Sequence, residues 1–166
     1  MRVLLKLELD CDPDDAWRAI RSPEIFQEVM YPLSQFKSLE VGGFTERWEP
    51  GEHPVKVLML GRFLVGQQVI RVSFDEDEPG TRIMRDTGRG LSGLLAVITQ
   101  WDHSMAISAG SDGKTLYRDQ LTFSAGALSI LLWPLYWAFW QWRAAALKRL
   151  APTWRLGSKR RTSLSL

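Results

Sequence analysis

Cysteine is nearly missing from this chain of 166 residues: Cys11 stands alone, which excludes an internal disulfide and a cysteine-rich zinc site. No HExxH, nucleophile elbow, P-loop or dinucleotide fingerprint occurs, so neither a metal nor a cofactor is expected. The glycines of "GRGLSG" (88–93) lack the basic residue and the strand-to-helix setting of a phosphate loop, and read as a hairpin turn. Acidic residues also run out. The last is Asp119, and beyond it lie Arg143, Lys148, Arg149, Arg155, Lys159, Arg160 and Arg161, while the whole chain is only +2. The first 119 residues are therefore net negative and the C-terminal third is the only basic region. Its end, "GSKRRTSLSL" (157–166), reads as a basic mobile tail after a single domain of 1–156. Nucleic acid is disfavoured as a partner, because no basic and aromatic alternation or reading motif accompanies the charge.

A leader is not read at the N-terminus either. "MRVLLKLELD" meets Glu8 and Asp10 before any apolar core of signal length and has no small-residue cleavage site, so a cytoplasmic location is expected. What is abundant is a charge-free stretch from Gln120 to Trp142, containing "ALSILLWPLYWAFWQW" and ended by Arg143. Such a run is long enough to span a bilayer, which takes about 20 apolar residues. Composition argues for one globular domain instead, with 45% hydrophobic and 24% charged residues and a mean hydropathy of -0.14.

The segments before that run say what it is for. "VLLKLEL" alternates, with Val3, Leu5, Leu7 and Leu9 on one side, as a half-buried strand does. Asp12 and Pro13 then give a helix start, with Asp14 and Asp15 near the positive end of its dipole and Trp17 and Ile20 sharing a face. Ser22, Pro23 and Glu24 repeat the signal, and "EIFQEVM" ends at Tyr31 and Pro32. From Phe36 to Phe123 turn signals recur: "GG" at 42, "EPGEHP", "DEDEPG", "GRG" and "GSDGK". Between them "VKVLML", "LVGQQVIRVSF", "TRIMRD", "LAVITQWDHSMAIS" and "LYRDQLTF" read as an antiparallel meander. The expected fold is α+β: a curved sheet of about seven strands, two short helices after the first strand, and a long C-terminal helix over the concave face.

That helix, about Ser129 to Leu150, is needed to cover the sheet. At 100° per residue, Leu128, Leu132, Leu135, Tyr136, Phe139, Ala146, Leu147 and Leu150 share one face, with Arg143 in its middle; Pro134, Gln141, Ala145 and Lys148 fall opposite. Trp133, Trp137 and Trp140 form a flank between the faces, and Trp142 lies on the other side. An amphipathic helix has a sheet to cover, and a spanning helix has no need of amphipathicity.

Several segments resemble a bacterial branch of the START-like, helix-grip (SRPBCC) superfamily: "DPDDAWRAIRSPEIF", "RDTGRG", "WDH", "YRDQLTFSAG" and "YWAFWQWRAAALKRL". The resemblance covers about residues 1–155. That superfamily includes lipid-transfer domains, plant pollen-allergen folds and polyketide cyclases or aromatases. It implies a cavity between sheet and helix for a hydrophobic or amphipathic small molecule.

Few residues can carry chemistry. His53, between Glu52 and Pro54, is expected in a solvent-exposed turn. His103 shares a strand face with Trp101, Met105 and Ile107, so it enters the cavity if that face is concave. Asp86 ends a strand before "TGRG" and reads as a turn-forming aspartate. Asp119 alternates with Tyr117, Leu121 and Phe123, where an unpaired acid is costly. Arg143 can supply a charge-assisted partner or snorkel to the rim. Three readings follow. A carrier would use Trp101, His103, Met105, Tyr117, Asp119, Phe123, Leu132, Leu135, Tyr136, Phe139 and Arg143 as its lining. A cyclase or dehydratase without metal would use His103 as general acid or base, with Asp119 or Arg143 positioning an enol or carboxyl. A docking module would set Trp133, Trp137, Trp140 and the basic tail against an anionic membrane, or the tryptophans against a second subunit in a homodimer.

Overall fold

A computed structural model describes residues 1–155, apart from the side chains of residues 77 and 78. The basic tail lies outside the described residues. Strand β1 (Arg2–Leu9) is followed by α1 (Pro13–Ile20) and α2 (Pro23–Met30). Both helices start where the sequence says: the Asp12 side chain accepts the Asp14 N–H at 2.8 Å, and Ser22 Oγ accepts the Ile25 N–H at 3.3 Å. A meander follows, comprising β2 (Ser34–Ser38), β3 (Gly51–Met59), β4 (Phe63–Glu78), β5 (Thr81–Asp86), β6 (Arg89–Gly90), β7 (Gln100–Ala109) and β8 (Thr115–Ser124). Helix α3 (Ser129–Trp154) closes the chain.

The eight strands form one antiparallel sheet in the order β1-β8-β7-β5-β4-β3-β2, with β6 paired to β4. The first strand thus pairs with the last, Leu5 opposite Asp119, and the meander runs outward from there. Alternation sends Leu7, Leu9, Val55, Val57, Ile70, Val72, Met105, Ile107 and Tyr117 into the core, where Ala144, Leu147 and Leu150 of α3 meet them. A second cluster joins Val3, Leu121 and Phe123 to Trp140, with Leu132, Tyr136 and Phe139 half-buried beside it. No helix among the described residues is long and apolar enough to cross a membrane. The charge-free run is instead β8's last residues, a turn and the first half of α3.

Four details differ from the reading of the sequence. β2 was not among the segments read as strands; its five residues are too short to declare a period, and pairing with β3 fixes them. "EPGEHP" is a strand start rather than a turn, so His53 is buried on β3, edge-on to Trp48 at 5.2 Å between ring centroids, with Nε2 2.8 Å from the Glu49 carbonyl. "LAVIT" is not strand: Gly93–Val97 is a 3₁₀ turn, and β7 starts only at Gln100. The inward face of α3 is also rotated from the wheel. Leu135 is 67% exposed whereas Trp140 is 2% exposed, because α3 lies along β1 and β8 at the sheet's edge and presents Trp140, Arg143 and Leu147 to the core. Trp140 is therefore not part of an outward tryptophan flank.

Candidate functional site

Asp119 stands midway along β8, the strand beside the edge strand β1, and is 1% exposed. Strand alternation on β8 buries Tyr117, Asp119, Leu121 and Phe123 together. On the neighbouring β7, Met105 pairs with Asp119 and His103 with Leu121. The helix adds Trp140 and Arg143, three residues apart and so on one face.

Four donors converge on the carboxylate. Oδ1 accepts from His103 Nε2 at 2.8 Å and from Trp140 Nε1 at 2.8 Å. Oδ2 accepts from Tyr117 Oη at 2.8 Å and from Arg143 Nε at 3.0 Å. The guanidinium does not form a two-pronged fork with the acid. Its Nη2 turns to Tyr117 Oη at 3.2 Å and Met105 Sδ at 3.1 Å, and Nη1 faces Met30 Sδ at 3.9 Å. Burial alone would push the Asp119 carboxyl up, but His103, Arg143 and the donated hydrogen bonds outweigh it and hold the acid well below the ordinary carboxylate range. Burial likewise raises the Tyr117 phenol, further than the nearby cation can offset.

The network limits what Asp119 can do. A carboxylate offers about four acceptor sites, and all are filled, so it serves as an anchor for α3 rather than as a free base. Since an ionised acid can only accept, His103 Nε2 carries a proton in this contact. Nδ1 enters no hydrogen bond in the described structure.

A second acid closes the site's flank. Asp86 Oδ1 accepts the Arg71 N–H at 3.0 Å and the Gly88 N–H at 2.9 Å, the latter a local turn of the expected kind. Oδ2 accepts Trp101 Nε1 at 3.0 Å. Burial pushes its carboxyl up despite His103 and these donors.

Above the two acids the rings form a continuous wall. Phe123 and Tyr136 are 4.6 Å apart, Trp101 and Tyr136 5.7 Å, and His103 and Trp140 5.3 Å between centroids. Burial raises the Tyr136 phenol, and its hydroxyl makes no hydrogen bond in the described structure. Of the residues singled out in the sequence, Trp101, His103, Met105, Tyr117, Asp119, Phe123, Leu132, Tyr136, Phe139 and Arg143 come together here, and Leu135 turns away. Sequence reasoning missed Trp140, Met30 and the bond from Trp101 to Asp86. For Trp140 the signal was present: it precedes Arg143 by three positions, so a helix that turns Arg143 inward turns Trp140 inward too.

A groove of about 640 Å³ opens elsewhere, between α1, α2, the Phe44–Arg47 segment and Trp154. Its lining mixes Asp15, Arg18, Glu24, Glu46 and Arg47 with the apolar Ala19, Pro23, Ile25, Phe44 and Trp154. A dip of about 120 Å³ lies at Trp142, Ala145, Ala146 and Arg149. Neither is lined by the Asp119 cluster. Among the described residues no three of His, Cys, Asp and Glu gather as metal ligands would.

No family model matches the chain, and no curated protein does. Solved structures do. Protein CV1439 from Chromobacterium violaceum is 19% identical, with a TM-score of 0.59 over 91% of this chain and 97% of that one. Ara h 8.0201 is 15% identical, with a TM-score of 0.60 over 92% and 98%. The Aha1 dimer from Colwellia psychrerythraea is 8% identical, with a TM-score of 0.57 over 91% and 96%. Identities this low carry the backbone arrangement and nothing of the chemistry. On that likeness and on its own element order, this chain has the helix-grip fold.

Proposed function

We propose that this protein binds a hydrophobic or amphipathic small molecule between the sheet and the first half of α3. The observation that carries the reading is the ring wall at Phe123, Trp101, Tyr136 and Trp140, which keeps two polar atoms unused, Tyr136 Oη and His103 Nδ1. Apolar walls with a few convergent polar groups are what small-molecule sites are made of. The two halves of α3 support it. From Trp140 onward its inward side chains are buried and Arg143 ties the helix to Asp119, whereas Leu132, Tyr136 and Phe139 before it are only half-buried. A ligand entering beneath that first half would complete their burial.

The test is native mass spectrometry of the full chain as purified, and again after addition of a long-chain fatty acid. A bound molecule or the added probe should appear on the wild type and be lost in Phe139→Arg, while Leu135→Arg, which alters an outward side chain, should retain it. A wild type that carries nothing and takes up no probe would refute the reading.

A catalytic reading has one observation in its favour, the His103 to Asp119 hydrogen bond at 2.8 Å. In a cyclase or dehydratase His103 would exchange a proton through Nδ1, and His103→Ala would cost turnover about 10² to 10⁴ with the fold intact. In a carrier the same substitution would change affinity modestly and abolish nothing.

A further inference from the structure

Exposed apolar side chains gather at one end of the sheet. Register brings the start of β1, the end of β8, the start of β7, the start of β4 and the end of β3 to that end: Arg2 pairs with Thr122, Gln100 with Ser124, and Met59 with Phe63. The 3₁₀ turn at Gly93–Val97 and the first turns of α3 are attached there, through the Thr99 N–H to the Ser124 carbonyl and the Leu128 N–H to the Ala125 carbonyl. Phe63, Leu64, Leu94, Ile130, Leu131 and Trp133 project from it, Leu94 73% and Leu131 69% exposed. The 3₁₀ turn packs on the start of β4, with Gly93 against Val65 and Gly66, so Leu94 sits beside Phe63 and Leu64, and apolar groups exposed together in this way mark an interaction surface.

Charge says what it meets. The five segments that build this end, 1–3, 31–34, 57–66, 89–100 and 124–138, contain Arg2, Arg62 and Arg89 and no acidic residue. Arg62 lies over the Phe63 ring at 4.8 Å, and Arg89 reaches back to Glu52. Because Arg89 is paired with Glu52 and Asp102 lies in the cross-strand row of Arg2, Arg62 is the cation that leads beside the exposed rings. An apolar surface led by it complements an anionic bilayer, with the aliphatic and aromatic groups entering the acyl boundary and the guanidinium remaining at the headgroups. A second copy joined through the same surface would bring a second Arg62 into the interface, and segment 57–66 supplies no acid to pair with either.

We propose that this end of the sheet, led by the β3–β4 turn, the 3₁₀ turn and the start of α3, docks on an anionic lipid bilayer. The surface differs from a tryptophan flank with a basic tail: Trp140 is buried, and Arg155, where the described chain ends, is about 33 Å along α3 from Trp133 at the usual helical rise.

Flotation of the full chain tests it, using vesicles of phosphatidylcholine alone and vesicles in which a third of the lipid is phosphatidylglycerol. The expected result is binding to the anionic vesicles that weakens with salt. Arg62→Glu should reduce it by roughly fivefold or more, and Leu94→Glu with Leu131→Glu by about tenfold or more, with far-ultraviolet circular dichroism and thermal midpoint unchanged. Arg62→Glu affects only an exposed charge, so it keeps the test valid if the double variant misfolds. Failure to bind anionic vesicles, or equal binding to neutral ones, would overturn the proposal. A dimer in light scattering that Leu131→Glu converts to monomer would overturn it too, assigning the surface to a second copy. None of these outcomes depends on a small molecule binding beneath α3.

Discussion

Arg143 donates its Nε–H to Asp119 Oδ2 at 3.0 Å, joining the middle of α3 to the centre of β8 with both side chains out of water. Taking two charges out of water is costly, and the remaining donors around Asp119 are what make the pair tolerable. Removing one partner strands the other. Asp119→Ala should lower the unfolding free energy by about 3 to 5 kcal/mol, and Asp119→Ala with Arg143→Met should recover part of that loss. Urea unfolding of these two variants and of Arg143→Met alone checks it; a double variant as unstable as the sum of the singles would deny the coupling.

Trp140 and Trp137 should respond to the same change with very different losses. Trp140→Phe removes the indole N–H that Asp119 accepts, at a cost of about 1 to 3 kcal/mol. Trp137 is 48% exposed, so Trp137→Phe should stay within about 0.5 kcal/mol. Thermal midpoints compared under one buffer would reveal whether the outward assignment of Trp137 is right.

Acid should weaken the fold through Asp119. Its carboxyl is held below the ordinary range, so its contribution is complete above the unfolded value of about 4 and declines as pH falls below that. Asp86 has the opposite sign: its carboxyl is raised, so its contribution is present at low pH and declines as pH rises through the folded value. Unfolding midpoints between pH 7 and pH 3 should therefore fall in the wild type and fall less in Asp119→Ala with Arg143→Met. An equal fall in both would place the acid sensitivity elsewhere.

Gly66 has a backbone φ of +155°, and a Cβ there would lie 2.1 Å from the Ser92 carbonyl oxygen. Gly80 has a φ of +85° and open space around it. Gly66→Ala must move the 3₁₀ segment as well as strain the backbone, so it should cost about 2 kcal/mol or more. Gly80→Ala should cost only the backbone share of about 1 to 2 kcal/mol, and equal losses by calorimetry would contradict the close approach of β4 to Ser92.

Local signals were sufficient for β1, α1 and α2, because alternation and capping act within a few residues: Asp12 and Ser22 both cap as their positions require. Asp119 was legible as needing a partner because a strand's period puts it among Tyr117, Leu121 and Phe123, and Arg143 was legible as interrupting an apolar face. His53 was misread because its surroundings come from Trp48, Glu40 and Glu49, packed against it by a sheet whose register no local pattern states.

The sequence by itself determined the order of elements, the alternation of β8 and the presence of one acid and one arginine among apolar neighbours, since those follow from periods of two and 3.6 residues along one chain. Tertiary structure decided the rest. A helix wheel has no zero of rotation: only packing along β1 and β8 chose the face that turns Trp140 inward to Asp119 and Leu135 outward to solvent. Only strand register gathered Phe63, Leu94 and Leu131, remote in the chain, at one end of the sheet, because register depends on which strands meet and local periodicity does not contain that information.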